Sequence, residues 1–215
     1  MSLLLKRATK SIGKKQLMAL TGLGLCVFLA VHLAGNLLVF KGPEAFNGYA
    51  RSLEANVLLL PAEIALALTF VLHVALAIRV TLDNRAARPV RYVVKVSEGT
   101  STIASRTMFL SGSLTLVFIV LHLIHFKFAG AERQDLHRLV LTTFHSLPYV
   151  VWYVFAVCVL GMHVGHGFQS AFRTLGVMHP NWTPLIRWTS RVFGVVVAAG
   201  YASIPIWCYL TRSPA

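Results

Sequence analysis

The sequence predicts an all-α integral membrane protein, a single bundle of five transmembrane helices. Of its 215 residues, 56% are hydrophobic and 13% are charged, which lies far outside the range of soluble domains. Five apolar stretches are each long enough to cross a hydrocarbon core, which takes about 20 residues. The loops between them are short and show no low-complexity character, so one transmembrane domain is expected over residues 1–215.

The five spans are placed by their apolar runs, at Leu17–Phe40, Val57–Leu82, Thr107–Phe128, Ser146–Phe172 and Val192–Leu210. Pro61 and Pro148 fall in first helical turns, where the missing N–H costs little. Pro205 falls inside the fifth span and is expected to kink it. The basic start resembles a signal peptide, but the apolar run is longer than such peptides use and no small-residue cleavage pattern follows it. An uncleaved first helix is therefore expected.

The basic residues predict the orientation of the bundle. Most of the 20 Lys and Arg residues precede the first span or flank the loops after the second and fourth spans. Four acidic residues lie in the opposite loops: Glu44, Glu54, Glu132 and Asp135. By the positive-inside rule the N-terminus is cytoplasmic and the C-terminus lies outside. The net charge of +13 reflects this asymmetry, which suits anionic lipid or a docked partner, and nucleic-acid binding explains it poorly.

Each of the first four spans contains a candidate histidine ligand: His32, His73, His122 and His163. A rise of 1.5 Å per residue places His32 about 12 Å and His122 about 9 Å from their outer helix ends. The same arithmetic places His73 and His163 each about 14 Å from their inner ends. Two levels with two imidazoles each fit two six-coordinate haem irons. Because no Cys-x-x-Cys-His motif exists, any haem would be non-covalent and of b type.

A histidine in a membrane helix has an alternative role, a hydrogen bond to a neighbouring helix. For each of the four alone this reading is favoured, whereas one per helix, paired by depth, favours ligation. His125 and His166 lie three residues from candidate ligands and remain alternatives to them, although we expect both to line the pocket. Three further histidines are expected at the surface: His137, His145 and His179.

The surroundings of the histidines leave two readings open. The glycines Gly161, Gly165 and Gly167 bracket His163, and small residues serve equally to admit a macrocycle or to pack two helices closely. Three arginines at inner helix ends are candidate partners of haem propionates, since a guanidinium suits a carboxylate. These are Arg79, Arg106 and Arg173, and ordinary positive-inside anchoring explains each of them as well.

A series of short motifs marks the chain in a definite order. They are Gly13-Lys14-Lys15, Leu17-Met18-Ala19-Leu20-Thr21-Gly22, His32-Leu33-Ala34-Gly35-Asn36, Glu44-Ala45-Phe46-Asn47, His73, Ser111-Gly112, His122-Leu123-Ile124-His125-Phe126 and His163-Val164-Gly165-His166-Gly167-Phe168. Together they resemble the single-polypeptide, five-helix, di-haem cytochrome b subunit of succinate dehydrogenases and fumarate reductases. The resemblance covers nearly the whole chain.

The resemblance implies a function and partners. His32 and His122 would ligate the haem nearer the outside, and His73 and His163 the haem nearer the soluble subunits. A flavoprotein that oxidises succinate or reduces fumarate and an iron–sulfur subunit would dock on the cytoplasmic face. Electrons would pass through two haems b between that subunit and a quinone, menaquinone, near the outer side. The implied location is the cytoplasmic membrane of a bacterium or archaeon, and the complex is compatible with a dimer or higher assembly.

The chain departs from the family at one position. Some fumarate reductases of this type have a glutamate two residues before the fourth-helix ligand, which serves transmembrane proton transfer, and this chain has Gly161 there. A proton route of that kind is therefore not expected. Proton exchange at an outer quinone site has three candidate carboxylates, Glu44, Glu54 and Glu63, of which Glu63 lies inside a predicted span. An interfacial carboxylate wetted by headgroup water explains Glu63 equally well.

Three other functions compete with this one. A transporter or proton channel would use the histidines as relay groups, but it predicts broken helices, internal repeats and an ionisable site at the midplane. No repeat is evident in the sequence, and the histidine pairs avoid the midplane. A di-haem anchor of a hydrogenase or formate dehydrogenase shares the chemistry but not this order of motifs. A haem-free anchor would only hold soluble subunits.

Overall fold

The fold was analysed in a computed structural model, which describes residues 11–87, 106–177 and 179–211. These residues form helices and turns and contain no β-strand. Five helices are long and apolar enough to cross a membrane, which confirms the predicted fold class. The basic residues before residue 11 and those between 88 and 105, which contribute to the predicted orientation, lie outside the described residues.

The described residues form seven α-helices: α1 Ser11–Asn36, α2 Pro43–Glu54, α3 Leu59–Ala86, α4 Met108–His122, α5 Leu136–Phe144, α6 Leu147–Thr174 and α7 Thr183–Leu210. A 3₁₀ helix, Leu37–Lys41, continues α1, and a π-helical segment, Leu123–Lys127, continues α4. A second 3₁₀ helix, Gly130–Asp135, precedes α5. The five long helices are α1, α3, α4, α6 and α7. We call the end of the bundle where α1 begins the inner end and the opposite end the outer end.

The last helix begins earlier than the sequence predicts. The fifth span was expected from Val192, but α7 begins at Thr183, nine residues before it. Hydropathy marks only the apolar part of a helix, whereas arginine is a good helix former, so α7 runs through Arg187 and Arg191. Trp188 in this extension is exposed, as aromatic residues at a membrane interface are. At the other end, the helix continues without interruption through the buried Pro205.

Two short outer helices stand where the sequence analysis expected only loops. α2 follows α1 and buries Phe46, and α5 precedes α6 and buries Val140 and Phe144. Asn47 joins the two: its Nδ2 donates to Asp135 Oδ1 at 2.8 Å and its Oδ1 accepts from the His137 backbone N–H at 2.9 Å. α2 and α5 with these contacts form what we call the outer cap.

One histidine of the outer cap lies where it was not expected. His137 was predicted at the surface but is only 9% exposed, because it lies on the inward face of α5 with its ring against Phe46. His145 and His179, also predicted at the surface, are exposed. The error arose because one amphipathic helix of nine residues is hard to recognise inside a loop.

The helix α6 is the centre of the bundle. It packs against α1, α4 and most extensively α7, while α3 packs against α1. Around the bundle the order is therefore α3, α1, α6, α4, so that α1 faces α4 and α3 faces α6 across the interior. α3 and α4 do not pack closely, and they are joined near their ends by the Glu63–Lys127 ion pair and by Arg85 over the Phe109 ring.

Glycines account for the close contact between α6 and α7. A Cβ atom on Gly161 would lie 2.6 Å from the Gly194 carbonyl oxygen and 2.7 Å from Ala198 Cβ. Gly165 also lies against Gly194, and the Ser190 hydroxyl donates to the Gly165 carbonyl. Of the two readings left open for these glycines, helix packing is the one the structure shows for both. A glutamate at position 161 would meet the backbone of α7.

The chain contains an internal repeat that the sequence analysis missed. Residues 18–33 and 108–123 are identical at seven of 16 positions without a gap, and they include both outer histidines. The next helices carry His73-Val74 and His163-Val164, again 90 residues apart. Each half is a long helix, a short outer helix and a second long helix. The absence of a repeat therefore no longer counts against a transporter.

The α6–α7 contact yields a first prediction. Gly161→Ala places a methyl group against backbone that cannot rotate away, so we expect a loss of about 1–3 kcal/mol in the free energy of unfolding. The measurement is thermal unfolding of the purified chain in detergent. Gly24→Ala is the matched control, because nothing lies within 4 Å of a Cβ there. Equal stability of the two variants would contradict the packing assignment.

The outer cap yields a second prediction, on pH. The Arg138 backbone N–H and the Asn47 amide both donate to Asp135 and hold the pKa of its carboxyl below the usual range. A lowered folded-state pKa stabilises the fold above the unfolded value of about 3.9, and that contribution is lost as the pH falls through the folded pKa. We therefore expect Asp135→Asn to lower the unfolding temperature at neutral pH and to match the wild type in strong acid. A constant difference across this range would contradict the prediction.

Candidate functional site

The bundle brings the four histidines of the spans together in two pairs. His32 lies on α1 and His122 on α4, which face each other across the interior, and their ring centres are 6.0 Å apart with planes at 84°. His73 lies on α3 and His163 on α6, the other facing pair, and these two side chains are close enough to interact electrostatically. All four side chains are partly buried. The pairs are those that helix depth predicts.

The two levels are well separated along the bundle. The Thr21 hydroxyl contacts His73, and His32 follows eleven residues later on the same helix, a rise of about 16 Å. In the other half, the Ser111 hydroxyl contacts His163, and His122 also follows eleven residues later. The repeat therefore sets the same separation of about 16 Å twice.

The outer pair has the spacing that a metal between two imidazoles requires. Two metal–nitrogen bonds of about 2.0 Å, with each nitrogen about 1.1 Å from its ring centre, give centres about 6 Å apart. The observed 6.0 Å matches. Among the described residues, no group of three or more His, Cys, Asp or Glu side chains is placed to hold a metal ion. The residues present at the outer level that could hold a haem iron are His32 and His122.

Aromatic side chains enclose the outer pair. Phe28 stacks on His32 with ring centres 5.1 Å apart, and Tyr201 of α7 approaches it at 6.0 Å. Phe118, Phe126 and Tyr153 surround His122 with ring centres between 5.3 and 6.2 Å from it. The His122 Nδ1 atom is buried and has no hydrogen-bond partner in the structure. This level is an apolar, aromatic compartment.

Two tyrosines at the outer level were missed by the sequence analysis. Tyr153 is 4% exposed and its hydroxyl lies 3.0 Å from His125 Nδ1. Tyr201 donates to the Leu29 carbonyl at 3.0 Å, so the fifth helix contributes to the site beyond a packing role. The signal that could have found them is a phenol inside an apolar span, since a buried hydroxyl needs a partner.

The alternative ligands His125 and His166 have other neighbours. His125 lies in the π-helical segment, hydrogen-bonded to Tyr153, with its ring edge on Tyr149 at 5.0 Å. His166 interacts electrostatically with Arg173, one to two turns further along α6. In the structure His122 is the residue of its helix that faces His32. That His125 and His166 line a cofactor pocket stays a prediction.

The charged candidates lie at the two ends of the bundle. The arginines proposed as propionate partners, Arg79, Arg106 and Arg173, are exposed at inner helix ends. Glu44 is exposed in the first turn of α2. Glu63 forms an ion pair with Lys127, and their side chains are 37% and 34% exposed. A second ion pair, Lys14 with Asp83, joins α1 and α3 at the inner end.

Comparison of this chain with family models, with curated proteins and with solved structures found no match.

Proposed function

We propose that this chain is the haem-bearing membrane anchor of a succinate:quinone oxidoreductase, a subunit that passes electrons between an iron–sulfur partner and a membrane quinone. The observation that carries the proposal is the pair of facing histidines at each of two levels, with the outer rings at the spacing for one metal between them. Each ionisable side chain inside a membrane bundle is costly, so four histidines paired in this way favour a functional use over hydrogen bonds between helices alone.

Each of the two haems would be held by its own pair of histidines. His32 and His122 would hold the outer haem b, and His73 and His163 the inner one. When bound, the two haems supply one-electron transfer, and the protein contributes position, ligation and local polarity. Phe28 and Phe118 lie against the outer histidines, where they would give a haem apolar surroundings. The two levels are about 16 Å apart along the bundle. The edges of two haems bound at these levels would be closer to each other than their centres.

The inner end suits a docked partner. Basic residues dominate the sequence segments at this end, and a flavoprotein with an iron–sulfur subunit would dock on it. By the positive-inside rule this end is cytoplasmic, in the cytoplasmic membrane of a bacterium or archaeon. The inner pair is then the first to exchange electrons with the partner. Arg79, Arg106 and Arg173 stand where propionates of an inner haem would need cations.

The outer half holds the groups that proton exchange with a quinone requires. Glu63 with Lys127 and His125 with Tyr153 are polar pairs beside the outer histidines. Both lie against the π-helical segment, and such segments are frequent at functional sites. A quinone, menaquinone by the family resemblance, would react here, with Glu63 and the exposed Glu44 as candidate proton carriers. The packing of Gly161 against Gly194 is consistent with the absence of the transmembrane proton route of some fumarate reductases.

The experiment that tests the proposal is a reduced-minus-oxidised optical spectrum with haem quantitation on the detergent-purified protein and its copurifying partners. We expect two b-type haems per chain with low-spin, bis-imidazole spectra and succinate-dependent reduction. Two haems reduced by hydrogen or formate would instead identify the anchor of another respiratory enzyme. A colourless protein would overturn electron transfer and favour a transporter or a haem-free anchor.

Single ligand variants give the third prediction. His73→Ala should remove the inner haem and leave the outer one, and His32→Ala should do the reverse, because the two levels share no ligand. Haem content and the resolved midpoint potentials of each variant measure this. His179→Ala is the control, since His179 lies in an exposed inner loop. Loss of both haems together from a variant that stays folded would contradict the pairing.

A further inference from the structure

Both inner histidines are held by the same small structural device. The Thr21 hydroxyl lies 3.1 Å from His73 Nδ1, and the Ser111 hydroxyl lies 3.1 Å from His163 Nδ1. Each hydroxyl residue is followed by a glycine on which the histidine ring rests. A Cβ atom on Gly22 would lie 3.1 Å from His73 Cε1, and one on Gly112 would lie 3.2 Å from His163 Cε1. The device occurs once in each half of the repeat.

The hydroxyl protons in this device are already used by the backbone. Thr21 Oγ1 lies 3.0 Å from the carbonyl oxygens of Leu17 and Met18, and Ser111 Oγ lies 3.1 Å from that of Met108. A carbonyl oxygen can only accept, so these backbone contacts are hydrogen bonds only when the single proton of each hydroxyl points to the backbone, and in that arrangement every contact has one donor and one acceptor. The hydroxyl oxygen then meets the imidazole with a lone pair and must accept from it.

This assignment determines the tautomer of both inner imidazoles. A neutral imidazole carries one N–H, and here it is at Nδ1, where it donates to the hydroxyl oxygen. Nε2 is left with its lone pair free. An imidazole in this form needs no proton shift before it binds a metal through Nε2. The glycines let each ring lie close to the neighbouring helix.

The outer pair has no such device. His122 Nδ1 is buried without a partner, and the ring nitrogens of His32 lie 3.3 Å from the Asn36 amide nitrogen, which donates to the His32 carbonyl at 2.8 Å. An amide nitrogen cannot accept from an imidazole N–H. The two levels therefore differ although their histidines are related by the same repeat.

We propose that Thr21 and Ser111 are positioning residues that hold His73 and His163 as Nδ1–H tautomers and so preform the inner site, and only the inner site, for its metal. The proposal rests on the function proposed above, in which these imidazoles bind haem b. A hydrogen bond from Nδ1–H makes a ligating imidazole more basic, which favours the oxidised iron. The inner haem is thus held more tightly and at a lower potential than it would be without the two hydroxyls.

Variants of the hydroxyls test this inference in the full chain. Thr21→Val and Ser111→Ala remove the hydroxyl. We expect about tenfold weaker binding of haem at the inner level with a higher midpoint potential for Ser111→Ala, and a smaller change for Thr21→Val because the Met18 carbonyl still accepts from His73. The outer haem should be unchanged in both respects. Thr21→Ser and Ser111→Thr should restore wild-type behaviour, because each introduces the hydroxyl that the other half uses. Ser113→Ala is the control, since its exposed hydroxyl bonds only to the Phe109 carbonyl of its own helix.

A second readout does not need haem. In the ¹⁵N spectrum of histidine-labelled chain prepared without haem, His73 and His163 should be Nδ1–H tautomers. Ser111→Ala should abolish this for His163 alone, whereas His73 also has the Met18 carbonyl as an acceptor. Nε2–H tautomers in the wild type would overturn the inference even if both haems bind. Unchanged affinity and potential of the inner haem in both hydroxyl-free variants would also overturn it. A wild type that shows Nδ1–H tautomers but takes up no haem would reject the proposed function and keep the assignment of Thr21 and Ser111.

Discussion

An imidazole inside an apolar bundle must find its polar partners within the bundle, and most of this structure follows from that constraint. Water is not there to satisfy ring nitrogens, and each unpaired polar group costs free energy. At the inner level the hydroxyls of Thr21 and Ser111 contact Nδ1 of His73 and of His163, respectively. The Nε2 atom of each ring is not part of this contact. At the outer level the His122 Nδ1 atom stays unpaired among aromatic rings. Two imidazoles from facing helices therefore lie at each level, and the proposed haem function rests on this arrangement.

The repeat explains how one chain builds two such levels. The hydroxyl residue, the glycine and the outer histidine of α1 each have a counterpart in α4, 90 residues later in the chain. The helix order α3, α1, α6, α4 then sets repeat-related histidines on facing helices, so each pair is formed by the two halves jointly. Neither half contains both histidines of a pair. α7 stands outside the repeat and closes the bundle through Gly194 and Ser190 against α6.

Hydropathy and the positions of the histidines predict the spans and the histidine pairs from the sequence. The features that the sequence did not predict depend on how the helices pack. The number of spans follows from apolar length, and the pairs follow from depth, because helix rise is constant. The role of Thr21 could not be predicted, since a threonine that bonds back to its own helix is ordinary in an apolar span. Tyr201 was overlooked because its helix has no histidine. The repeat is hard to recognise from sequence because α3 and α6, the second long helices of the two halves, share only the dipeptide His-Val around their candidate ligands.

The outer half is where the two repeats have diverged, and the divergence concentrates polar groups there. Position 63 in one half corresponds to 153 in the other, and these hold Glu63 and Tyr153. Both reach the π-helical segment of α4, Glu63 through Lys127 and Tyr153 through His125. The corresponding segment after α1 is a 3₁₀ helix with Leu37 where α4 has Lys127. Under the proposed function, an inner level that only relays electrons would need no such groups, whereas a site that exchanges protons with a quinone would. The loss of symmetry at one end is therefore the feature that argues for chemistry at the outer level.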